Sequence, residues 1–470
     1  MLTFLDNSII FIAGIIILGI GYFFSKITKD MESFYLANRS LPWSLLVGTL
    51  VASWYGAAGV IGSIGYAAVY GISVWAVWCI AAHAARIPLA LWVGPKVQVR
   101  TDVTIPDLLE NLYGKKVAII GACVLVFSCA SFGCLLGGAR IGLAAWGIPE
   151  VMFGIILITL TVVIASLGGL MGVAVTDMIM FFFMVFGVTM VFPGLFSEIG
   201  GFAGLQAALG DNAETLLHPT KGMSLGKMVT LVILSFNVYA DPSFYQRFSA
   251  AESAKSARRA LLTCFSLWIV FDIILTVMGI LVTAFRPEAQ PEVAYITLVL
   301  ESLPVGVKGL FMLGLLGATI STLDSYYLVG ATLVTNDIYA RLRGPENITQ
   351  EQIVKITRIA IVVVGFLGLT IAFRFELIYD VVVWMQGISM SVLFVPVVGG
   401  LMYRGRKTEM GGLLSMVGGC GTLLILRAIE FSVFSPVFIA LAAAFICYNI
   451  GNRIGEDRNG IQPVAAGNGE

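Results

Sequence analysis

Long apolar runs separated by short polar connections extend along almost the whole chain. Each run has roughly 17 to 25 apolar residues, which is enough to cross a bilayer as an α-helix. The pattern therefore predicts an all-α integral membrane protein of about thirteen transmembrane helices. The predicted spans lie near residues 8–24, 43–71, 74–95, 117–147, 151–170, 174–196, 228–248, 261–285, 305–340, 353–373, 377–403, 411–428 and 433–451.

Composition supports a membrane protein without a soluble domain. Of the 470 residues 58% are hydrophobic and only 12% are charged, whereas soluble domains carry about twice that charged fraction. The longest polar connection, 197–227, is too short to form a core of its own. The N-terminal stretch lacks the cationic start and cleavage site of a signal peptide, so we expect it to be retained as the first helix. The balanced charge gives no indication of a nucleic-acid partner.

Basic residues concentrate in alternate predicted loops. They are Lys26, Lys29 and Arg39; Lys96, Arg100, Lys115 and Lys116; Arg247, Lys255, Arg258 and Arg259; Arg341, Arg343, Lys355 and Arg358; Arg404, Arg406 and Lys407; and Arg453. The positive-inside rule places these loops in the cytoplasm. The N-terminus is then outside and the C-terminus inside, which agrees with an odd number of spans in the cell (inner) membrane. The polar, Gly-rich tail is predicted to be disordered.

Two predicted spans are interrupted, five spans apart. The first, "VGTLVASWYGAAGVIGSIGYAAVYG" (47–71), is dense in small residues, and the second, "ILSFNVYADPSFYQRF" (233–248), carries Asp241 and Pro242 in its middle. Non-helical backbone at membrane depth is tolerated only where it lines a cavity or is covered by protein. Two five-helix repeats of inverted topology, each opening with a broken helix, are typical of secondary transporters.

This organisation divides the chain into six predicted units. They are an extra helix and cytoplasmic loop (1–42), a first repeat (43–196), an external loop (197–227), a second repeat (228–403), two C-terminal helices (404–453) and a disordered tail (454–470).

Hydroxyl groups form a stripe along one predicted span. Ala318, Ser321, Thr322 and Ser325 recur at helical spacing, and Asp324 flanks them. Small polar residues also join helices in membranes by hydrogen bonds, so the stripe alone fits either role. The carboxylate favours an ion or proton path because charge at membrane depth is costly. Hard cations prefer oxygen ligands, and carbonyls of an unwound segment at 52–56 are candidates to complete a sodium site.

Other chemistries have little support in the sequence. The seven cysteines all lie in apolar segments, which favours packing over a disulfide framework. Two histidines, His83 and His218, give no basis for a histidine metal site. With no Gly-x-Ser-x-Gly elbow and no cofactor motif, we expect no enzyme activity, no cofactor and no obligate protein partner.

Several segments in consistent order resemble the sodium/solute symporter family, which includes bacterial sodium/proline, sodium/galactose and sodium/sialic acid symporters. They are "SFYLANRSLPW", the broken helix after it, "TIPDLLENLYGKK", "GGLMGVAVTDMIMFFFMVFG", "FYQRFSAAESAKSARRA", "ATISTLDSYYLVGATLVTNDIY" and "GLMYRGRKTEMGGLLSMVGG". The resemblance covers nearly the whole chain. It implies the leucine-transporter fold with a 5+5 inverted repeat, and sodium as the coupling ion.

The resemblance also implies which residues bind ions. The first sodium would take the hydroxyls of Ser321 and Thr322 and backbone oxygens of Ala52, Tyr55 and Ala318. In some members a second sodium is held by residues that match Asp177, Ser321, Asp324 and Ser325. Those relatives have serine where this chain has Asp324, so the position could bind sodium, take a proton or pair with a cation.

The family's solute pocket lies between the broken helices. The matching candidates are Trp54, Tyr55, Arg140, Phe236, Asn237, Tyr239, Asp241, Trp384 and Gln386. Arg140 could bind a carboxylate with its planar guanidinium, or it could snorkel or pair with Asp324 or Asp272. The aromatic residues fit packing as well as a pocket.

The sequence thus predicts a sodium-coupled secondary symporter that imports a small organic solute by alternating access. An amino acid, a carboxylate, a sugar and a sialic acid remain open as solutes. Two alternatives are a proton-coupled symporter of the same fold that uses Asp177 and Asp324, and a transporter-like membrane sensor without coupling.

Overall fold

Helices and their connections make up the described part of the chain, where a single isolated bridge between Leu41 and Ala251 is the only strand-like pairing. The computed structural model describes residues 2–27, 31–98, 104–344, 347–403 and 405–456. Most of the predicted disordered tail, and the basic residues Lys29, Arg100 and Arg404, lie outside these ranges.

The N-terminal half of the described chain has eleven α-helices. They are α1 (Phe4–Ile27), α2 (Met31–Leu36), α3 (Trp43–Trp54), α4 (Ser63–Tyr70), α5 (Ile80–Pro88), α6 (Gly94–Gln98), α7 (Ile105–Tyr113), α8 (Lys115–Cys129), α9 (Phe132–Trp146), α10 (Glu150–Glu198) and α11 (Gly201–Leu209). Wider π-helical turns at Ala58–Gly62, Val74–Cys79 and Leu89–Val93 continue the path between them, and Ala37–Arg39 and Gly210–Asn212 are 3-10 turns. Residues 74–93 therefore form one span.

The C-terminal half of the described chain has another eleven. They are α12 (Ala213–Leu216), α13 (Leu225–Leu234), α14 (Pro242–Ala250), α15 (Ala254–Phe285), α16 (Pro291–Ser302), α17 (Val307–Thr332), α18 (Arg341–Arg343), α19 (Gln350–Ala372), α20 (Ile378–Met402), α21 (Glu409–Ala428) and α22 (Pro436–Ile454). Ser235–Ala240 is a 3-10 segment between α13 and α14, and Leu333–Ala340 is a π-helical segment that joins α17 to α18.

The number of membrane spans differs from the prediction of thirteen, which is not confirmed. Ten helices in the described ranges are long and apolar enough to cross a membrane, and the bent pair α3–α4 raises the number to eleven. The two other predicted spans fall on the shorter apolar helix Glu150–Ala165 and on the broken segment of α13 and α14. Hydropathy alone does not distinguish one continuous transmembrane helix from an apolar segment that is divided into several short helices.

Both predicted interruptions are present as breaks in helices. The α3–α4 pair is bent by 57°, and Tyr55 leaves the helical conformation at the end of α3. In the second break, Asp241 has extended backbone angles and caps α14, whose first residue is Pro242. Pro fits the first helical turn because its missing N–H would have no intrahelical partner there. A third discontinuity within α10 occurs at Gly169, with φ 56° and ψ −170°.

Helix α17 is the central element that positions the site. It packs against α10, α3, α9 and α1. Its glycines permit this approach: a Cβ at Gly314 would lie 2.6 Å from the carbonyl oxygen of Phe183 on α10. Small residues allow helix backbones to approach closely in membranes. The face that carries the hydroxyl stripe is therefore held against the break between α3 and α4.

Candidate functional site

The side chain of Thr322 on α17 contacts the backbone at the break after α3. Its Oγ1 lies 3.1 Å from the carbonyl oxygen of Ala52, 2.9 Å from that of Ala318 and 3.4 Å from that of Ser53. A Cβ at Gly56 would lie 2.2 Å from the same Oγ1, so only glycine permits this contact. The break and α17 are therefore in direct polar contact.

The structure brings together four of the five predicted sodium ligands by direct contact. Ser321 donates a hydrogen bond from Oγ to the carbonyl of Ala318 at 3.1 Å, the same carbonyl that Thr322 reaches. The fifth, Tyr55, directly follows the last residue of α3, three positions after Ala52, and its side-chain hydroxyl donates to Asp272. This group of neutral oxygens has the composition that a hard monovalent cation requires.

A buried arginine connects the second predicted ion site to the break. Arg247 on α14 is 0% exposed, and its Nη2 lies 2.9 Å from Ser325 Oγ, 2.5 Å from Ser53 Oγ and 3.7 Å from Asp177 Oδ2. Its Nε donates to Thr49 Oγ1 at 3.0 Å, and that hydroxyl donates to Asp177 at 2.5 Å. The loop-charge pattern assigned Arg247 to a cytoplasmic loop, and this assignment was wrong for its side chain.

Asp324 belongs to the same cluster and carries a carboxylate that is not fully paired. It is 1% exposed and close enough to interact electrostatically with Asp177 and Arg247. Among the described residues no hydrogen-bond partner is present for Asp324 Oδ1 or Asp177 Oδ1. Two carboxylates thus face one guanidinium, and the cluster has a formal charge of −1 when all three are ionised.

A cavity of about 110 Å³ adjoins both the break and α17. Three predicted solute residues line it, namely Trp54, Tyr55 and Gln386. Thr322 also lines it, so one wall of the cavity is shared with the predicted sodium site. The full lining comprises Ser53, Trp54, Tyr55, Gly56, Ala58, Gly59, Trp78, Cys79, Ala82, Arg86, Ser128, Ser131, Gly133, Cys134, Asp272, Thr322, Tyr326, Tyr379, Val382, Met385 and Gln386.

The remaining solute candidates lie outside this lining. Phe236 and Tyr239 stack on each other with ring centroids 6.1 Å apart, and Tyr239 donates to the carbonyl of Ala85. Asn237 is buried in the same 3-10 segment. Trp384 packs against Phe127 and accepts a hydrogen bond at its carbonyl from Arg427.

Asp241 acts locally as the cap of α14. Its Oδ1 accepts hydrogen bonds from the N–H groups of Ser243 and Phe244 at 2.9 and 3.2 Å. Its Oδ2 accepts from the hydroxyl of Tyr326, which lines the cavity. An N-cap carboxylate satisfies N–H groups that a helix start leaves free. Asp241 is therefore linked to the cavity through its hydrogen bond with Tyr326.

Arg140 is engaged by acidic groups away from the cavity. It pairs with the fully buried carboxylate of Glu292 and donates to the carbonyl of Glu376 at 2.7 Å, while Glu150 lies 3.4 Å from its Nε. Glu292 also accepts from the N–H of Ile378. Burial raises the pKa of Glu292, whereas Arg140 and this N–H favour its ionised form. The partners of Arg140 are thus neither Asp324 nor Asp272.

Three cavity-associated polar residues did not emerge as candidates from the sequence. Arg86 and Asp272 line the cavity, and His83 lies between them, with Nδ1 3.2 Å from Arg86 Nη1 and Nε2 2.9 Å from Asp272 Oδ2. Arg86 lies in the predicted span 74–95, and an ionisable residue at membrane depth is itself a signal of function. That signal was available and was not used.

Known proteins with similar sequences include sodium symporters. The family model described as "Sodium:solute symporter family" matches residues 34–419. The chain is 25% identical over 456 residues to a sodium/pantothenate symporter of Haemophilus influenzae, covering 91% of each chain. It is 26% identical to a sodium/glucose cotransporter of Vibrio parahaemolyticus, covering 92% of this chain and 87% of that one.

Solved structures with the same fold are also transporters. A Na⁺-coupled sialic acid symporter in a substrate-bound outward-open state superposes with a TM-score of 0.83 at 16% identity, covering 97% of this chain and 99% of the other. A nucleobase-cation-symport-1 family transporter in a closed conformation gives a TM-score of 0.57 at 13% identity, covering 89% and 93%. These likenesses confirm the predicted leucine-transporter fold. The chain belongs to the sodium:solute symporter family, and its activity is sodium-coupled transport of a solute rather than catalysis.

Proposed function

We propose that the protein imports a small organic solute with sodium, and that sodium binds between α17 and the break after α3. Its ligands would be the carbonyls of Ala52, Tyr55 and Ala318 and the hydroxyls of Ser321 and Thr322. The observation that carries this proposal is the contact of Thr322 Oγ1 with the carbonyl of Ala52 across the two elements. A cation there would draw oxygens of both elements toward itself.

The composition of this site suits an ion that is bound and released in every cycle. All five groups are neutral oxygens, so no carboxylate would hold sodium so tightly that release limits transport. Thr322 and Tyr55 also line the cavity. Sodium binding would thus fix the backbone that forms one wall of the solute site, and by linkage the solute must favour sodium binding equally.

Asp177, Ser321, Asp324 and Ser325 are the proposed ligands of a second cation, and Arg247 lies beside them. The cluster's formal charge of −1 and its two unpartnered carboxylate oxygens in the described structure would accommodate one more positive charge. A second sodium or a proton would supply that charge. Ser321, whose hydroxyl is near Asp177, would connect the two sites. A cycle driven by protons through this cluster is the competing function.

We further propose alternating access in the cell membrane with the N-terminus outside and the C-terminus in the cytoplasm. The unit that contains both broken helices would rock against the other helices and expose the sites to each side in turn. Inward movement of a sodium ion along the membrane potential releases about 2.3 kcal/mol per charge per 100 mV. The low internal sodium concentration would then favour release of the ion, and the solute would follow.

Radiolabelled sodium binding to the purified protein in detergent tests this function without knowledge of the solute. We expect saturable binding that unlabelled sodium displaces and potassium does not. Because Asp177 and Asp324 form the second cation site, acidification should reduce the amount bound at saturation while one sodium site remains. A protein that binds no sodium at any pH but takes up protons would establish the proton-driven alternative.

A further inference from the structure

Arg86 lines the cavity, and two nitrogen atoms of its guanidinium have no hydrogen-bond partner in the described structure. Its side chain is 2% exposed, and its guanidinium carbon lies 4.2 Å from the ring centroids of both Trp54 and Trp268. Nη1 is 3.2 Å from His83 Nδ1. Nε and Nη2 have no hydrogen-bond partner among the described residues. A guanidinium remains charged in proteins, so this span holds a buried cation with two free donors.

The two free donors belong to the same edge of the planar group. Nε–H and one N–H of Nη2 point in parallel, which is the geometry that binds both oxygens of a carboxylate. Both indole rings contact the guanidinium without accepting a hydrogen bond from Nε or Nη2, so these donors remain available to an anion. A buried donor without a hydrogen-bond partner is unfavourable, and an anion bound to these donors would remove that cost.

Asp272 does not occupy this edge although it lines the same cavity. Its Oδ1 accepts a hydrogen bond from the Tyr55 hydroxyl, and its Oδ2 lies 2.9 Å from His83 Nε2. His83 thus lies between Arg86 and Asp272, and the formal charges of these two residues sum to zero.

We propose, on the basis of the sodium-coupled transport proposed above, that the solute is a small monocarboxylate whose carboxylate binds Nε and Nη2 of Arg86. A single negative charge on the solute is offset by the sodium ion bound at the adjoining site, since both sites share Thr322 and Tyr55. A second carboxylate would bring a like charge toward the buried Asp272, where repulsion is stronger than in water.

The size and walls of the cavity restrict the rest of the solute. Trp78, Tyr379, Val382 and Met385 form an apolar surface. A cavity of about 150 Å³ holds benzene, whereas this one has about 110 Å³. The matching solutes are short monocarboxylates such as propionate, lactate and pyruvate, and not a sugar acid the size of sialic acid.

The test is thermal unfolding of the purified protein in sodium or potassium with matched acids and amides. Propionate, lactate and pyruvate are compared with propionamide and lactamide, which keep the shape and lose the charge. Ligand that binds only the folded state raises its stability in proportion to occupancy. We expect stabilisation by at least one acid in sodium, a much smaller effect in potassium, and none from the corresponding amide.

Substitution of Arg86 then locates the carboxylate. Loss of hydrogen bonds to a charged group predicts that Arg86→Gln weakens binding of the active acid about 10- to 150-fold. Arg86→Lys keeps the charge without the paired donors, so an intermediate loss is expected. Arg427→Gln is the matched control, because Arg427 also lies over a tryptophan but does not line the cavity. Sodium binding in the absence of solute should persist in all three variants.

The outcomes separate this inference from the proposed function. Sodium-dependent stabilisation by neutral sugars, amides or zwitterionic amino acids, without any by the acids, would overturn the monocarboxylate and leave sodium coupling in place. Equal binding of the acid by the parent and Arg86→Gln would remove Arg86 from the site. Acid binding that is the same in sodium and potassium would support Arg86 and contradict the sodium coupling.

Discussion

At the scale of single residues, two buried threonines on α17 have different hydrogen-bond partners. Thr319 Oγ1 donates to the carbonyl of Leu315 in its own helix, whereas Thr322 Oγ1 also reaches the carbonyl of Ala52 on α3. Substitution Thr322→Val keeps the shape and removes one oxygen from the proposed sodium site. We expect about a tenfold or greater loss of sodium affinity, as for the loss of a hydrogen bond to a charged group.

Radiolabelled sodium binding measures this difference, and Thr319→Val is the matched control because it also removes a buried hydroxyl. Thr322→Ser retains the oxygen and should bind sodium nearly as the parent does. Equal affinities in Thr322→Val and Thr319→Val would show that the stripe only joins helices.

The sequence predicts which residues of one helix share a face, but it does not predict contacts between residues that are distant in the chain. The spacing of Ser321 and Thr322 predicts one polar face, and that face contacts the break. Arg247 was assigned to a loop because charge near the end of an apolar run is usually at the interface. Its partners Asp177 and Ser325 lie on other helices, and no local periodicity encodes such contacts.

At the scale of elements, the break after α3 depends on its close contact with α17. Gly56 has no Cβ, and adding one would place it 2.2 Å from Thr322 Oγ1 and 2.7 Å from Thr322 Cβ. We expect Gly56→Ala to destabilise the protein by about 1 to 3 kcal/mol, the usual cost of overpacking, and to abolish measurable sodium binding. Thermal unfolding and sodium binding report the two effects separately.

A double substitution distinguishes the steric effect of a Cβ at Gly56 from the loss of the Thr322 hydroxyl. Gly56→Ala combined with Thr322→Ala removes most of the overlap, so stability should recover while sodium binding does not. Gly421→Ala is the control, since a Cβ there meets nothing within 4 Å. Sodium binding that returns together with stability in the double variant would contradict a role for the Thr322 hydroxyl.

The Arg247 cluster joins α14, α3, α10 and α17 through charge. Arg247→Gln leaves Asp177 and Asp324 buried together without their guanidinium. Removing one partner of a buried ion pair typically costs about 3 to 5 kcal/mol. We expect a loss of this order in thermal unfolding, and partial recovery when Asp177→Asn is added. Arg259→Gln is the control and should have little effect, because Arg259 is exposed and lies over Trp43. If Asp177→Asn does not restore stability to Arg247→Gln, charge does not link these helices.

The sequence predicted the order of the elements better than their number. Helix breakers such as Pro242 act locally, so both interruptions could be located from the sequence. The total of thirteen spans was not confirmed for two reasons. Residues 225–250 form three short segments, and Glu150–Ala165 is shorter than the other apolar helices that could cross a membrane.

At the scale of the whole molecule, two ion-pair networks tie distant helices at loops predicted to face opposite sides. Arg341 pairs with Asp107, Glu110 and Asp337 on the predicted cytoplasmic side. The ion pair of Arg140 and Glu292 joins α9 to α16. Glu292 also accepts a hydrogen bond from the N–H of Ile378, the first residue of α20. A rocking transporter must hold and release such contacts in turn, so we expect these networks to influence the balance between its states.

The buried pair of Arg140 and Glu292 should behave as one unit in stability measurements. Each single substitution to Gln leaves an uncompensated buried group and should cost about 3 kcal/mol or more. The double variant should lose less than the sum of the two. The exposed pair of Arg286 and Glu301 provides the control, since such pairs contribute about 0 to 1 kcal/mol. Additive losses at the buried pair would contradict direct coupling.

The pH dependence of Arg140→Gln gives a sharper test of the same pair. Burial raises the pKa of Glu292 above its ordinary 4.5, and Arg140 opposes this effect, so removing Arg140 should raise the pKa further. The folded state then keeps a proton that the unfolded state releases, and stability falls as pH rises from about 4.5 to the folded pKa. We expect the thermal unfolding temperature of Arg140→Gln to fall more steeply than that of the parent as the pH rises above about 4.5. Adding Glu292→Gln should remove the extra slope, and a slope that persists would assign the proton to another group.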